Sequence, residues 1–212
     1  MRPDAEILWE VASGLARAAA EVSRPPRPLP PLLFFTDPER TPRPWETATA
    51  LPPGSAVIFR HFGSGDAALT ARRLRDATAV AGVRLLIGLD TALAESVEAD
   101  GIHLPERALE QAERLRPERP EWLLTGAAHS AEALALASVL DAAIVSPAFA
   151  AGGASAARPE LGVDRFAQLV RSAPCPVYAL GGVHAGNARE LIGSGACGLA
   201  GVEAIRAAYG PK

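Results

Sequence analysis

Hydrophobic positions in this chain fall into short runs separated by polar segments with helical spacing. Runs rich in branched and aromatic residues stand at 32–36, 56–60, 84–89, 101–104, 122–126, 142–146, 177–180 and 198–200. Their length and their flanking Gly, Pro, Asp and Ser residues suit strands rather than helices. Between them, residues 67–81, 131–140, 163–172 and 185–194 carry Ala, Leu, Arg and Glu at helical spacing. Strands alternating with helices predict right-handed βαβ crossovers and a parallel sheet. Eight runs predict closure into an α/β fold of the (β/α)8 TIM barrel type. The alternative is an open doubly wound sheet. Its glycine-rich fingerprint is expected after the first strand, where TDPERTPRP stands instead. Residues 40–55 fit least well, because their prolines leave only a weak helical pattern around Trp45. A short first helix, or a loop in its place, is expected there.

Upstream of the first run, DAEILWEVASGLARAAAEV is Ala-rich but interrupted by Glu6, Glu10, Arg17 and Glu21. It predicts an extra N-terminal amphipathic helix that closes the bottom of the barrel, and neither it nor any other stretch has the apolar length of a signal or membrane-spanning segment. The Pro-rich stretch 25–31 is a stiff connector. Residues 1–30 are thus read as helix and connector, and 31–212 as the barrel.

Composition adjusts this picture little. With 212 residues, 49% of them hydrophobic, the chain suits one domain near the lower size limit of a barrel. A net charge of −3 offers no general attraction to nucleic acid or an anionic membrane. Any anion must therefore be held locally. Cys175 and Cys197 form no CxxC or Cys/His cluster, so a reduced, cytoplasmic protein without a zinc site is expected.

The most informative stretch is PVYALGGVHAGNARELIGSGACGLAGVEAI, residues 176–205. Gly181 and Gly182 permit close backbone approach to a ligand, and the turn into the last helix sets Gly201 and Val202 at its start. Loops after strands seven and eight of a barrel commonly form a phosphate site. The other strand ends offer Thr36 with Asp37, Arg60 with His61, Asp90, His103, His129 with Ser130, and Ser146. Each has a plainer reading as well. Asp37 before Pro38 can start a turn, Asp90 before Thr91 can cap a helix, and His103 within GIHLP can be a packed core histidine. Arg60 is either a surface charge or a planar fork for an anion. His129 has the pKa range for proton transfer, with Ser130 as the cap of the next helix.

FFTD, a strand ending in Arg60, then LLIGLD, ADGIHLPE, TGAAHS, VSPAF and the final glycine-rich stretch together resemble the thiamine phosphate synthase and TenI superfamily. The resemblance runs over about residues 31–208 and is strongest at ADGIHL and in the last third. It implies a barrel, usually a homodimer, that binds a phosphorylated thiazole through the backbone of Gly182, Gly201 and Val202. Arg60, Asp90, His103 and Ser146 are the expected substrate-binding side chains.

The superfamily has two activities. Synthases join the thiazole phosphate to an aminomethylpyrimidine diphosphate with Mg2+; the TenI-like tautomerase aromatises a carboxythiazole phosphate without a cofactor. Several synthase positions depart here. A Gln-x-Arg-x-Lys pattern meets Ile58, Arg60 and Phe62; an Asn-Asp pair meets Leu89 and Asp90. The second metal carboxylate falls near Ala108, the Ser-x-His serine is Ala127, and the Thr-x-Thr-Lys loop meets 150–157, which has no lysine. Asp90 is then the sole expected metal ligand, and only for a synthase. Arg60 or Arg158 can compensate in part. Several uncompensated charges in the diphosphate region disfavour synthase chemistry, since loss of a single transition-state donor costs about a hundredfold or more. In the tautomerase branch the histidine of the strand-five motif acts as acid and base and corresponds to His129 here, so the resemblance implies proton transfer by His129 as the expected activity. A synthase with a rearranged diphosphate site and a non-catalytic thiazole phosphate binder remain alternatives. The loop 150–160 is small and flexible enough for a lid, or is simply disordered.

Overall fold

A computed structural model describes residues 2–23, 25, 27–152 and 158–211. Eight parallel strands close into a barrel in sequence order: β1 (Leu32–Phe35), β2 (Ala56–Phe59), β3 (Arg84–Gly88), β4 (Gly101–Leu104), β5 (Leu123–Ala128), β6 (Ala142–Val145), β7 (Val177–Ala179) and β8 (Gly198–Gly201). Closure runs through β1 and β8, with Leu33 opposite Ala200 and Phe34 opposite Gly201. Strand residues alternate between two apolar layers, as a side-chain period of two requires. Leu33, Phe35, Ile58, Leu86, Ile144 and Tyr178 fill the interior. Leu32, Phe34, Val57, Leu85, Ile102 and Val145 face the surrounding helices.

Those helices are α1 (Pro3–Ser23), α2 (Pro44–Ala48), α3 (Ala67–Ala81), α4 (Thr91–Ser96), α5 (Gln111–Glu118), α6 (Ala131–Ala135), α7 (Gly162–Ser172) and α8 (Glu203–Tyr209). The segment around Trp45 is indeed short. Two expected helices are curtailed. Residues 136–140 continue α6 only as tight turns, with Leu136, Ala137 and Leu140 amides bonding three residues back. Between β7 and β8 a single 3-10 turn, Ala188–Leu191, replaces the helix expected over 185–194. Here the Glu190, Ile192 and Ser194 amides bond three residues back, and the Asn187 side chain ties the turn to β7's end, accepting from the His184 amide and donating to the Gly182 carbonyl.

That short turn explains where α1 goes. Ala5, Leu8, Val11, Ala12 and Leu15 join the outer apolar layer, so most of α1 lies beside β8 and β1, against α8 and the 3-10 turn. The expected position under the barrel holds only for its last turns and the connector, where Ala19 and Leu29 meet the interior cluster. Tyr178 Oη donates to the Pro30 carbonyl at 2.7 Å, and Arg84 to that of Pro28 at 2.9 Å, tying the connector to the barrel floor.

Candidate active site

The inward row of each strand continues into the carboxyl-terminal mouth. Beyond Ile58 the next inward position is Arg60, beyond Ile144 it is Ser146, and beyond Ala200 it is Val202. On β5 the same alternation passes through Thr125 and Ala127 to His129. A single parity rule thus gathers most of the sequence-predicted residues at one end.

His129 is half-buried and pinned twice. Its amide donates to Glu106 Oε2 at 2.6 Å, and its Nδ1 lies 3.0 Å from the Ser146 carbonyl and 3.2 Å from the Ser146 hydroxyl. A carbonyl only accepts, so Nδ1 carries the proton and Nε2 keeps its lone pair. Burial, followed by the positive charge of Arg158, holds the imidazole below its ordinary range, against weaker upward pulls from the Ser146 carbonyl and Glu106. His129 is therefore a neutral acceptor at neutral pH. Ser130 caps α6, accepting from the Ala133 amide at 3.1 Å. Neither His129 nor Ser146 lines either of the two clefts described next.

The first cleft, of about 520 Å³, is lined by Gly181, Gly182, Gly201 and Val202 together with Arg40 and Arg60. The four glycine-turn residues proposed from sequence do meet, but the double glycine has a packing cause as well. Both residues have positive φ, 92° and 68°, and a Cβ would stand 2.8 Å from Pro147 at Gly181 and 2.4 Å from the Ala150 carbonyl at Gly182. The loop after β6, not a ligand, occupies the space a side chain would fill. The Gly182 and Val183 amides make no hydrogen bond among the described residues, which leaves two donors at the cleft.

The second cleft, of about 640 Å³, is bounded by Arg60, His61, Phe62, Leu89, Asp90 and His103, among others. Arg60 borders both. Its Nε donates to the Thr36 carbonyl at 2.9 Å, and its guanidinium lies between the Phe35 and Phe62 rings, 5.2 and 5.3 Å from their centroids. Its Nη2 is buried with no partner among the described residues. Burial, and to a lesser degree the nearby charge of Arg40, push its pKa down to about 10, against the pull of Asp37.

The structure narrows the roles of two expected substrate ligands. His103 is 7% exposed, its Nδ1 lies 3.0 Å from Thr125 Oγ1, and its ring meets Phe35 edge-on at 5.0 Å. Burial drives its pKa to about 3, so it is a neutral core histidine that borders the cleft. Asp90 caps α4, with Oδ1 accepting from the Leu93 amide at 2.9 Å, and its Oδ2 lies 3.5 Å from His61 Nε2. Ala108, where the second metal carboxylate was expected, lies on the 3-10 turn Glu106–Ala108 and offers none, and among the described residues no group of three His, Cys, Asp or Glu lies together. Asp90 is the carboxylate that these positions would offer to a magnesium ion held chiefly by substrate phosphates and water.

Sequence reasoning missed Arg40. It lies in the proline-rich loop after β1, where Asp37 receives the Glu39 and Arg40 amides and, at 2.8 Å, Arg40 Nη2. The Asp-x-x-Arg spacing was the available signal. Phe62 and Leu89 hold left-handed backbone, φ 48° and 63°, which apolar side chains rarely adopt. No position along the chain marks such conformations. The central part of the loop 150–160, residues 153–157, lies outside the described residues. Both cysteines are free thiols, and among the described residues no helix is long and apolar enough to cross a membrane.

The family described as thiamine monophosphate synthase matches residues 33–205. The thiamine-phosphate synthase of Albidiferax ferrireducens is 35% identical over 158 residues, covering 72% of this chain and 70% of that protein. That of Geobacillus kaustophilus is 31% identical over 170 residues, covering 75% and 76%. The solved thiamine phosphate pyrophosphorylase of Pyrococcus furiosus shares the fold, with a TM-score of 0.68 at 21% identity over 84% of this chain and 91% of that one. Matched across most of its barrel and more than 30% identical to relatives of similar length, the chain belongs to the thiamine monophosphate synthase family.

Proposed function

We propose that the barrel mouth binds a phosphorylated thiazole and that His129 moves a proton on it, as a TenI-like tautomerase without a metal cofactor. The observation that carries this reading is the fixed tautomer of His129: with Nδ1–H held by the Ser146 carbonyl, Nε2 is the free base. Nε2 takes a proton from the non-aromatic ring and returns it to another ring position, so the isomer forms with no atom gained or lost. The phosphate lies in the cleft of Gly181, Gly182, Gly201 and Val202, with the two unpaired amides as donors. Incubating the protein with the non-aromatic carboxythiazole phosphate should accelerate aromatisation. His129→Ala should remove most of that gain, and full retained rate would refute the assignment.

The second reading is a thiamine phosphate synthase, favoured by the names of the relatives. It requires Mg2+ to be held largely by the substrate diphosphate, with Asp90 as the lone carboxylate. Its test is magnesium-dependent formation of thiamine phosphate from the two phosphorylated precursors, and no product at any magnesium concentration removes it. A homodimer in a reducing cytoplasm belongs to the same proposal; the two free thiols support the compartment, and sedimentation tests the dimer.

A further inference from the structure

We propose that Arg40 is a specificity-determining residue of the phosphate cleft, where its guanidinium and that of Arg60 form a two-arginine clamp on the anion. This rests on the reading of that cleft as a phosphate site. Three observations on this chain's own residues carry it. Arg40 and Arg60 come from different loops, yet both line the cleft that Gly182 and Gly201 also border. Asp37 holds Arg40 in place by one ion pair at 2.8 Å, with both side chains largely shielded, 24% and 17% exposed. The remaining Arg40 side-chain N–H groups make no hydrogen bond among the described residues, and neither does Arg60 Nη2.

Two guanidinium groups lining one cleft repel each other; Asp37 compensates Arg40 at 2.8 Å, with weaker help from Glu203 and Glu39, while Arg60 makes no ion pair among the described residues. An anion between them relieves that imbalance, and guanidinium forks match phosphate oxygens in geometry. Three carboxylates, Glu160, Glu190 and Glu203, also border the cleft, but all are exposed. Solvent and salt screen rim charges far more than shielded ones, so the arginines dominate the interior of the cleft and the carboxylates its approach. The clamp places cationic donors at the end where the ester phosphate lies, whereas the second cleft mixes apolar Phe62 and Leu89 with His61, Asp90 and Arg107. The clamp therefore selects an anionic over a neutral ligand at the first cleft.

Calorimetry on the full chain with inorganic phosphate tests the clamp without relying on any thiazole chemistry. Arg40→Ala should weaken phosphate binding by about tenfold to a hundredfold, as loss of a charge-assisted hydrogen bond predicts, and Arg40→Lys should restore part of it. Arg189→Ala, at an exposed ion pair with Glu10, is the control and should bind as the parent does. Thermal melts of Arg40→Ala and Arg40→Lys that match the parent establish that folding is unaffected. Unchanged phosphate affinity in Arg40→Ala, or no phosphate binding by the parent protein, overturns the clamp. The failures are separable. If phosphate binding depends on Arg40 but thiazole phosphate does not bind, the proposed function falls and the clamp stands. If His129→Ala abolishes aromatisation but Arg40→Ala binds phosphate normally, the clamp falls alone.

Discussion

His103 gives a prediction whose size follows from the structure. Its imidazole is fully enclosed between Thr125 and Phe35, and burial lowers its pKa to about 3 from the ordinary 6.5. The folded protein therefore resists a proton that the unfolded chain accepts. Stability from this neutral histidine is fully present above the unfolded value of 6.5 and is lost as pH falls toward 3. At about pH 5 the unfolded imidazole lies about 1.5 units inside its protonated range while the folded one remains neutral. At about 1.4 kcal/mol per unit, this group alone should cost about 2 kcal/mol between about pH 7.5 and about pH 5. Urea unfolding at the two pH values measures the loss, and His103→Gln, which cannot titrate, isolates it. The variant is expected to be less stable at both pH values, but its acid loss should be smaller than the parent's by that amount. Equal acid losses in the two proteins would refute a buried neutral His103. The point bears on function, because a His103 that stays neutral is no base for the proposed proton transfer, which is assigned to His129.

Three further outcomes follow from the geometry. Because burial and Arg158 hold His129 below its ordinary range, the acid limb of the kcat/KM profile should fall below pH 6.5, and a limb above that value contradicts a neutral base. Gly182→Ala should destabilise the protein by about 1–3 kcal/mol in thermal melts, through its φ of 68° and a Cβ 2.4 Å from the Ala150 carbonyl; an unchanged melt would show that the loop after β6 yields freely. Tyr178→Phe should cost about 1–2 kcal/mol in urea unfolding, since it deletes the buried bond to the Pro30 carbonyl, and a neutral result would mean that the connector is not held there.

The eight apolar runs and their helical spacers were enough to identify the closed barrel, because a period of two and a period of 3.6 leave local signatures in the chain. The turn after β7 was legible from its paired glycines, and both of them hold positive φ. Position at the strand ends also singled out Arg60, His129 and Ser146, and the structure adds that they continue the inward rows. Over the helix expected at 185–194 the amides of Glu190, Ile192 and Ser194 bond three residues back instead of four, a choice the spacing of Ala and Leu does not reveal.

What only the tertiary structure decided is how the strand-end residues are used. Asp90 is a helix cap beside His61, His103 is sealed against Phe35, and Arg40 shares a cleft with Arg60 although they lie on different loops. The double glycine is held by the loop after β6 as much as by any ligand. Sequence fixes which chemical groups a chain can offer and the local periodicity that arrays them. Burial, partner and charge environment arise from segments far apart in the chain, and these set the protonation state of each group and decide whether it caps, packs or binds.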